Sequence, residues 1–364
     1  MKVSHWLIVA AVVLAVIGGG VYWLLRPPPN ITVASWGGDY GRAQMVALFH
    51  PFTDKMGVDV DATIYGGGLK EIRAQVAANA VTWDVVDLEL ADAAAACREG
   101  LLERIDDIPL PPGANGTRAI VDFVPGALGP CWVGSAVYSQ IIAYDPVHFT
   151  DAPMVAADFF DLARFPGGRG LKDSGPQYNL ELALIADGVP PQRVYAALGT
   201  KAGVDRAFAK LDTIKHSVVW WHRLNDALDA LDRSDVTMTT VMNKNVYDAL
   251  MAGKNIGAFW DGQLYQLDVF GIPKGSPNKK RALEFIRFAT SPDPLAEQSR
   301  WVPYGPARRS SVPLIGINQQ TGITMRPYLP TAPENFQNAL AIDPDWWAAH
   351  GAALEARWAA WRKQ

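Results

Sequence analysis

The chain of 364 residues holds two cysteines, six histidines and no basic run longer than Lys279-Lys280-Arg281. The histidines (His5, His50, His148, His216, His222 and His350) stand singly, and with only two thiols they make no four-ligand zinc pattern. No metal or other cofactor is expected. Catalytic signatures are scarce as well: G-x-S-x-G, H-E-x-x-H and G-x-x-x-x-G-K-[ST] are all missing. Lys2 and Arg26 are the only charges before Asn30, which leaves the rest of the chain at −6 and removes any electrostatic reason to seek nucleic acid or anionic lipid. Charged residues reach only 19% against 49% hydrophobic, too apolar for a disordered chain. The 335 residues from Asn30 onward exceed what one core usually organises, so two domains are expected.

What the chain does have begins at its N-terminus. Trp6 to Leu25 carries no charge across 20 residues, with Lys2 before it and Arg26-Pro27-Pro28-Pro29 after it. At about 1.5 Å per residue such a helix spans a bilayer's hydrocarbon core. Residues 1–29 therefore read as a signal peptide or membrane anchor. Gly18-Gly19-Gly20 suits a peptidase, but Val21 to Leu25 continues the apolar run past it, which favours an anchor in the inner membrane. Export fits the cysteines: Cys97 and Cys131, 34 positions apart, are expected to form a disulfide in an oxidising compartment.

From Asn30 the pattern alternates. Ile31 to Trp36, Val58 to Ile64 and Trp83 to Leu88 read as short strands, each followed by helical spacing, over Tyr40 to Met56, Leu69 to Ala80 and Ala91 to Leu102. Three strand-helix units in series predict an α/β fold with a mostly parallel sheet and ligands beyond the carboxyl ends of its strands. Ser135 to Tyr144 reads as a long strand. Beyond Asp145-Pro146, helices over Val155 to Arg164, Leu180 to Asp187, Val204 to Lys215 and Trp221 to Asp232 alternate with strands over Ser217 to Trp220, Val236 to Val241 and Ile256 to Trp260, which predicts a second sheet. Leu267 to Ile272 reads as a strand returning to the first. The expected result is two lobes with a cleft between them.

Trp36-Gly37-Gly38-Asp39-Tyr40 sets two aromatic faces and an acid beyond the first strand, a combination that recognises organic cations. The same residues also suit an interface tryptophan and a capping aspartate. Glu89 follows the third strand and faces the same crevice. Trp220-Trp221 and Trp346-Trp347 read as core or lobe-interface residues.

Several segments carry a family resemblance: Ala34-Ser35-Trp36-Gly37-Gly38-Asp39-Tyr40, Trp83-Asp84-Val85-Val86-Asp87, Val137-Tyr138-Ser139, Trp260-Asp261-Gly262-Gln263, Ile272-Pro273-Lys274-Gly275, Pro303-Tyr304-Gly305-Pro306 and Leu329-Pro330-Thr331-Ala332-Pro333. In this order the chain resembles the spermidine/putrescine-binding group of extracytoplasmic solute-binding proteins, the receptors of ABC importers. The resemblance implies a two-lobed periplasmic-binding-protein fold of type II, with residues 30–143 plus 268–312 in one lobe and 144–267 plus 313–364 in the other. It also implies a monomer that delivers a small organic solute to an ABC permease in the membrane.

By the same resemblance Trp36, Asp39 and Tyr40 form the aromatic-acid cluster, Asp268 supplies a carboxylate at the second crossing, Tyr304 is an aromatic lid and Glu89 a polar contact. The chain departs from the polyamine pattern at Met242 and Asn245, which stand in place of a tryptophan and an aspartate, and at Gln266, which replaces an aromatic. Lys244 adds a cation beside them. An amine or polyamine-like solute is expected, with a neutral or zwitterionic one as the alternative. A less favoured alternative is a hydrolytic enzyme on the same scaffold with Asp39, Glu89 and Asp268 as acid and base, which a convergent trio with one strongly raised carboxyl would support. If the apolar segment stays attached, the protein isolated from membranes should begin at its original N-terminus; Edman sequencing that starts at Val21 or later would show cleavage.

Overall fold

The computed structural model describes residues 30–173 and 175–363. The anchor or signal peptide expected over residues 1–29 lies outside them. Among the described residues no helix is long and apolar enough to cross a membrane.

The strands are β1 (Asn30–Ser35), β2 (Asp59–Ile64), β3 (Val85–Glu89), β4 (Leu128–Gly129), β5 (Trp132–Tyr144), β6 (Arg169–Lys172), β7 (Val218–Trp221), β8 (Met238–Met242), β9 (Gly257–Gly271), β10 (Gly305–Pro306) and β11 (Leu340–Ala341). They join in one sheet of order β2-β1-β3-β9-β5-β8-β6-β7, with β4 and β10 attached to β5 and β11 to β9. The expected second sheet is thus a continuation of the first. Pairing is parallel at both ends, among β1, β2 and β3 and among β6, β7 and β8, but antiparallel through β3-β9-β5-β8 in the middle. The mostly parallel expectation fails there because β5 and β9 run the length of the molecule against each other.

The segments Ile256 to Trp260 and Leu267 to Ile272, read as two strands, belong to the single strand β9. Ile142 pairs with Phe259 and Gln140 with Leu264, so residues 260–263 bulge outward between them. Gly262 makes the bulge possible: its φ is +74°, and a Cβ there would lie 2.8 Å from the Cβ of Ala156.

Helix Gly38–Gln44 continues through the π-turn Met45–Phe49 into His50–Met56, which realises the helix expected over Tyr40 to Met56. Phe49 and Phe52 on its inner face pack 5.7 and 5.2 Å from the Phe285 ring. Two other helices are shorter than their apolar spacing suggests. Val155 to Arg164 yields only the 3-10 segment Ala156–Phe160, because the carboxylates of Asp158 and Asp161 take the backbone N–H groups of Met154, Val155, Ala163 and Arg164. The helix expected from Trp221 starts at Asp226, since Trp221 ends β7.

Two large apolar cores flank the shared strands. One gathers Ile31, Leu88, Val137, Tyr265, Phe270 and Phe285; the other gathers Ile142, Phe159, Leu184, Phe208, Leu264 and Trp358. The last helix, Pro344–Arg362, is fastened to the second core by Trp347, whose indole Nε1 donates to the buried Glu181 carboxylate at 2.6 Å. Trp220, as expected, packs on the core, against Trp358 and Trp361.

Cys97 and Cys131 are bonded, with Cα atoms 5.8 Å apart, which ties helix Leu90–Arg98 to the residue before β5. The closed loop spans 34 positions, and on the loop-entropy account it stabilises the fold by about 4 kcal/mol. The C97A/C131A variant should lose about that much in denaturant unfolding under oxidising conditions, while the wild type should show the same loss when reduced. A double variant as stable as the oxidised protein would contradict this account.

Candidate ligand-binding site

Four strand ends of parallel pairs converge on one cavity of about 560 Å³. After β1 come Trp36 to Tyr40, β3 ends in Glu89, β6 ends in Lys172, and β8 ends in Met242, followed by Asn243, Lys244 and Asn245. Gly38, at φ +64°, permits the sharp passage from β1 into its helix. From the middle of the sheet, β9 contributes Gln266 and Asp268 and β5 contributes Tyr138. Alternation puts Gln266 and Asp268 on one face, and the antiparallel register sets Asp268 opposite Glu89 and Gln266 opposite Tyr138. Tyr304 closes one side, its ring 5.3 Å from that of Tyr40 and 5.9 Å from that of Tyr138.

All nine residues singled out from the sequence line this cavity: Trp36, Asp39, Tyr40, Glu89, Met242, Asn245, Gln266, Asp268 and Tyr304. Their surroundings differ sharply. The carboxylate of Asp39 is half exposed and already engaged, by Arg42 and by Lys244 at 3.3 Å. Lys244 also bonds Asp248 at 2.5 Å. Burial alone would lower the Lys244 ammonium, but its bonds to Asp248 and then Asp39 outweigh that and raise it. Tyr40 is buried, and its hydroxyl donates to Asp87 at 2.9 Å. Asn245 donates to Asn225 at 3.2 Å.

Asp268 is different. It is only 4% exposed, and among the described residues its carboxylate takes no hydrogen bond. Burial first, then the charges of Asp87 and Glu89, push its proton affinity well above the usual carboxylate range. Behind it, Asp87 is fully buried and accepts from Tyr40, from Gln44 at 2.6 Å and from Ser35 at 3.1 Å. Burial raises Asp87 to about 7, against the lowering effect of those donors. The wall of the site is therefore an acid pair with one open member.

Sequence reasoning missed Lys172, Tyr178, Tyr138, Asn243 and Leu224, which complete the lining. Lys172 faces the acids from the opposite lobe, and burial lowers its ammonium while Glu89 raises it. Among the described residues it has no carboxylate within ion-pair distance; its Nζ sits 5.1 Å above the Tyr178 ring. The signal for it was weak, because Gly167-Gly168-Arg169-Gly170 looks like a loop and β6 was not expected. Tyr138 stood in a recognised segment, and only the register with Gln266, whose Oε1 accepts from the Tyr138 hydroxyl at 2.9 Å, turns it toward the cavity.

A buried acid raised to about 7 has a consequence for stability. Between about pH 4 and 7 the folded protein keeps a proton that the unfolded chain has lost, so stability falls as pH rises through that window and levels off above it. Each such group contributes at most about 1.4 kcal/mol per pH unit. Glu181, raised by burial to about 7, acts in the same sense. Unfolding free energies measured from pH 5 to 8 should show a steeper decline for the wild type than for Asp87→Asn. Parallel curves would mean that Asp87 keeps an ordinary affinity for its proton.

Residues 47–351 match the family described as bacterial extracellular solute-binding protein. A gamma-aminobutyric acid-binding protein of Pseudomonas aeruginosa is 38% identical over 332 residues, 91% of this chain and 90% of that protein. An ABC transporter substrate-binding protein from Bradyrhizobium japonicum shares the fold with a TM-score of 0.75 at 30% identity, over 92% of this chain and 99% of that one. The Atu4243-GABA receptor gives 0.72 at 29% identity, over 92% and 97%. The chain belongs to the bacterial extracellular solute-binding proteins, and with its two-lobed fold and interlobe cavity it is the solute receptor of an ABC importer.

Proposed function

We propose that the solute is a small zwitterion with its ammonium and carboxylate several bonds apart, an ω-amino acid of the γ-aminobutyrate class. The observation that carries this reading is the pairing of unengaged ionisable groups across the cavity: Asp268 with Glu89 on one lobe, Lys172 on the other. An ammonium fits at Asp268, where it restores the carboxylate's charge in a partly dry wall; a carboxylate fits at Lys172. The aromatic rings of Trp36, Tyr138 and Tyr304 would cover the methylenes between. Gamma-aminobutyrate is what the Pseudomonas relative is named for. A polyamine fits less well, because its second ammonium would meet Lys172 and Lys244, and Asn245 stands where the polyamine pattern has an acid.

The receptor reading is preferred to an enzyme because Asp39, the third member of the acid-base trio, is held by Arg42 and Lys244. Ligand touching both lobes would favour a closed form in which β5 and β9 act as the hinge, dividing the lobes near residues 143 and 267. The finer localisation is proposed with it: a periplasmic receptor tethered through residues 6–25.

Calorimetric titration tests the assignment. Asp268→Asn should weaken γ-aminobutyrate by about 10- to 150-fold, the loss of one charge-assisted bond of about 1.5 to 3 kcal/mol. Lys172→Met should weaken γ-aminobutyrate while leaving butylamine nearly unchanged. Equal losses for both ligands in Lys172→Met, or full affinity in Asp268→Asn, would remove the zwitterion assignment.

A further inference from the structure

We infer that Tyr178 is a partition that sets how long a solute the cleft accepts, an inference that rests on the ω-amino-acid reading. Behind the cavity of about 560 Å³ lies a second one of about 200 Å³, and four residues line both: Glu89, Lys172, Tyr178 and Gln266. Tyr178 is the one aromatic ring among them. It is only 6% exposed and is held from two sides, by Gln266, whose Nε2 donates to the phenolic oxygen, and by Lys172 over its face.

The backbone that places this ring is unusual. Tyr178 has φ +69° and ψ −41°, a conformation strongly disfavoured for any residue with a Cβ, in the position just before helix Asn179–Ala186. Asn179 anchors that turn by donating to the carbonyl oxygens of Lys172 at 3.0 Å and Gly175 at 2.9 Å. Glycine would take the same backbone without strain. The structure instead holds a large ring across the boundary of two cavities.

The consequence for a solute follows from the order of the groups. An ω-amino acid anchored by its ammonium at Asp268 reaches Lys172 with its carboxylate when the chain is short. A longer chain overshoots Lys172 and meets the Tyr178 ring. Beyond the ring the second cavity is lined by Leu90, Leu267 and Ile342, which suit additional methylenes, and by Lys172, Gln177 and Gln266, polar groups available to the carboxylate that ends the longer chain. Tyr178 is therefore a specificity-determining residue, and its removal should extend the accepted series rather than abolish binding.

The test is a length series of ω-amino acids with four, five, six and eight carbons, titrated against wild type, Tyr178→Gly and Tyr178→Phe. The wild type should lose about tenfold or more in affinity between the four- and eight-carbon members, and Tyr178→Gly should recover most of that loss. Tyr178→Phe keeps the ring and should keep the wild-type profile. Gln266→Ala, which opens the same wall from β9 without touching the strained turn, should shift the profile in the same direction as Tyr178→Gly and stands in for it should that variant fail to fold. An unchanged length profile in the opening variants overturns the partition and leaves the zwitterion reading intact. If no ω-amino acid binds the wild type, that reading fails, and a crystal structure of the opening variant decides the partition: one merged cavity supports it, and neighbouring side chains collapsed into the gap overturn it.

Discussion

Strands β5 and β9 pair from Trp132 with Gly271 to Tyr144 with Gly257, and both lobes hang from this one antiparallel ribbon. Because the two strands are continuous, the parallel units at either end of the sheet are turned toward each other, and the carboxyl ends of β1, β3, β6 and β8 meet over one cavity. The same ribbon supplies Asp268, Gln266 and Tyr138 to the cavity floor. The floor of the cleft is thus made of the connection between the lobes itself.

Charge is distributed unequally over this frame. The lobe containing β1 and β3 presents carboxylates: Asp268 open, Asp87 buried behind it within a ring of hydroxyl and amide donors, and Glu89 at the rim. The other lobe presents ammonium groups, Lys172 and Lys244. One acid and one lysine, Asp39 and Lys244, neutralise each other at 3.3 Å across the cleft, which ties the lobes together and removes both from the open inventory. What remains among the described residues is a cavity with two unengaged acids, Asp268 and Glu89, facing one unengaged lysine, Lys172, with aromatic rings around them.

Much of the first lobe was legible from sequence. The runs Ile31 to Trp36, Val58 to Ile64 and Trp83 to Leu88 are β-branched and locally periodic, and each became a strand within two residues of its expected bounds. Their carboxyl ends and the residues just beyond carry Trp36, Asp39 and Glu89 to the cavity, as the rule for parallel strand ends requires. The second lobe was less legible. Helical spacing around Phe159 and Phe160 was real, but Asp158 and Asp161 drew the backbone into turns; β6 is only four residues long and follows Gly167-Gly168, and it pairs on both sides with β7 and β8. Lys172 and Tyr178 were hidden with it.

The sequence by itself determined the order of strands and helices in the first lobe, the disulfide partners and the residue types gathered at the strand ends, since these depend on near neighbours, on compartment and on scarcity. Only the tertiary structure decided which of those groups are paired and which are left without a partner. Asp39 and Asp268 are equivalent as letters, yet one lies half exposed beside Lys244 and Arg42 and the other is buried beside Asp87 with no donor among the described residues. Pairing and desolvation are set by segments distant in the chain and brought together by the β5-β9 ribbon, and the free energy of an ionised group depends on that company far more than on its own side chain.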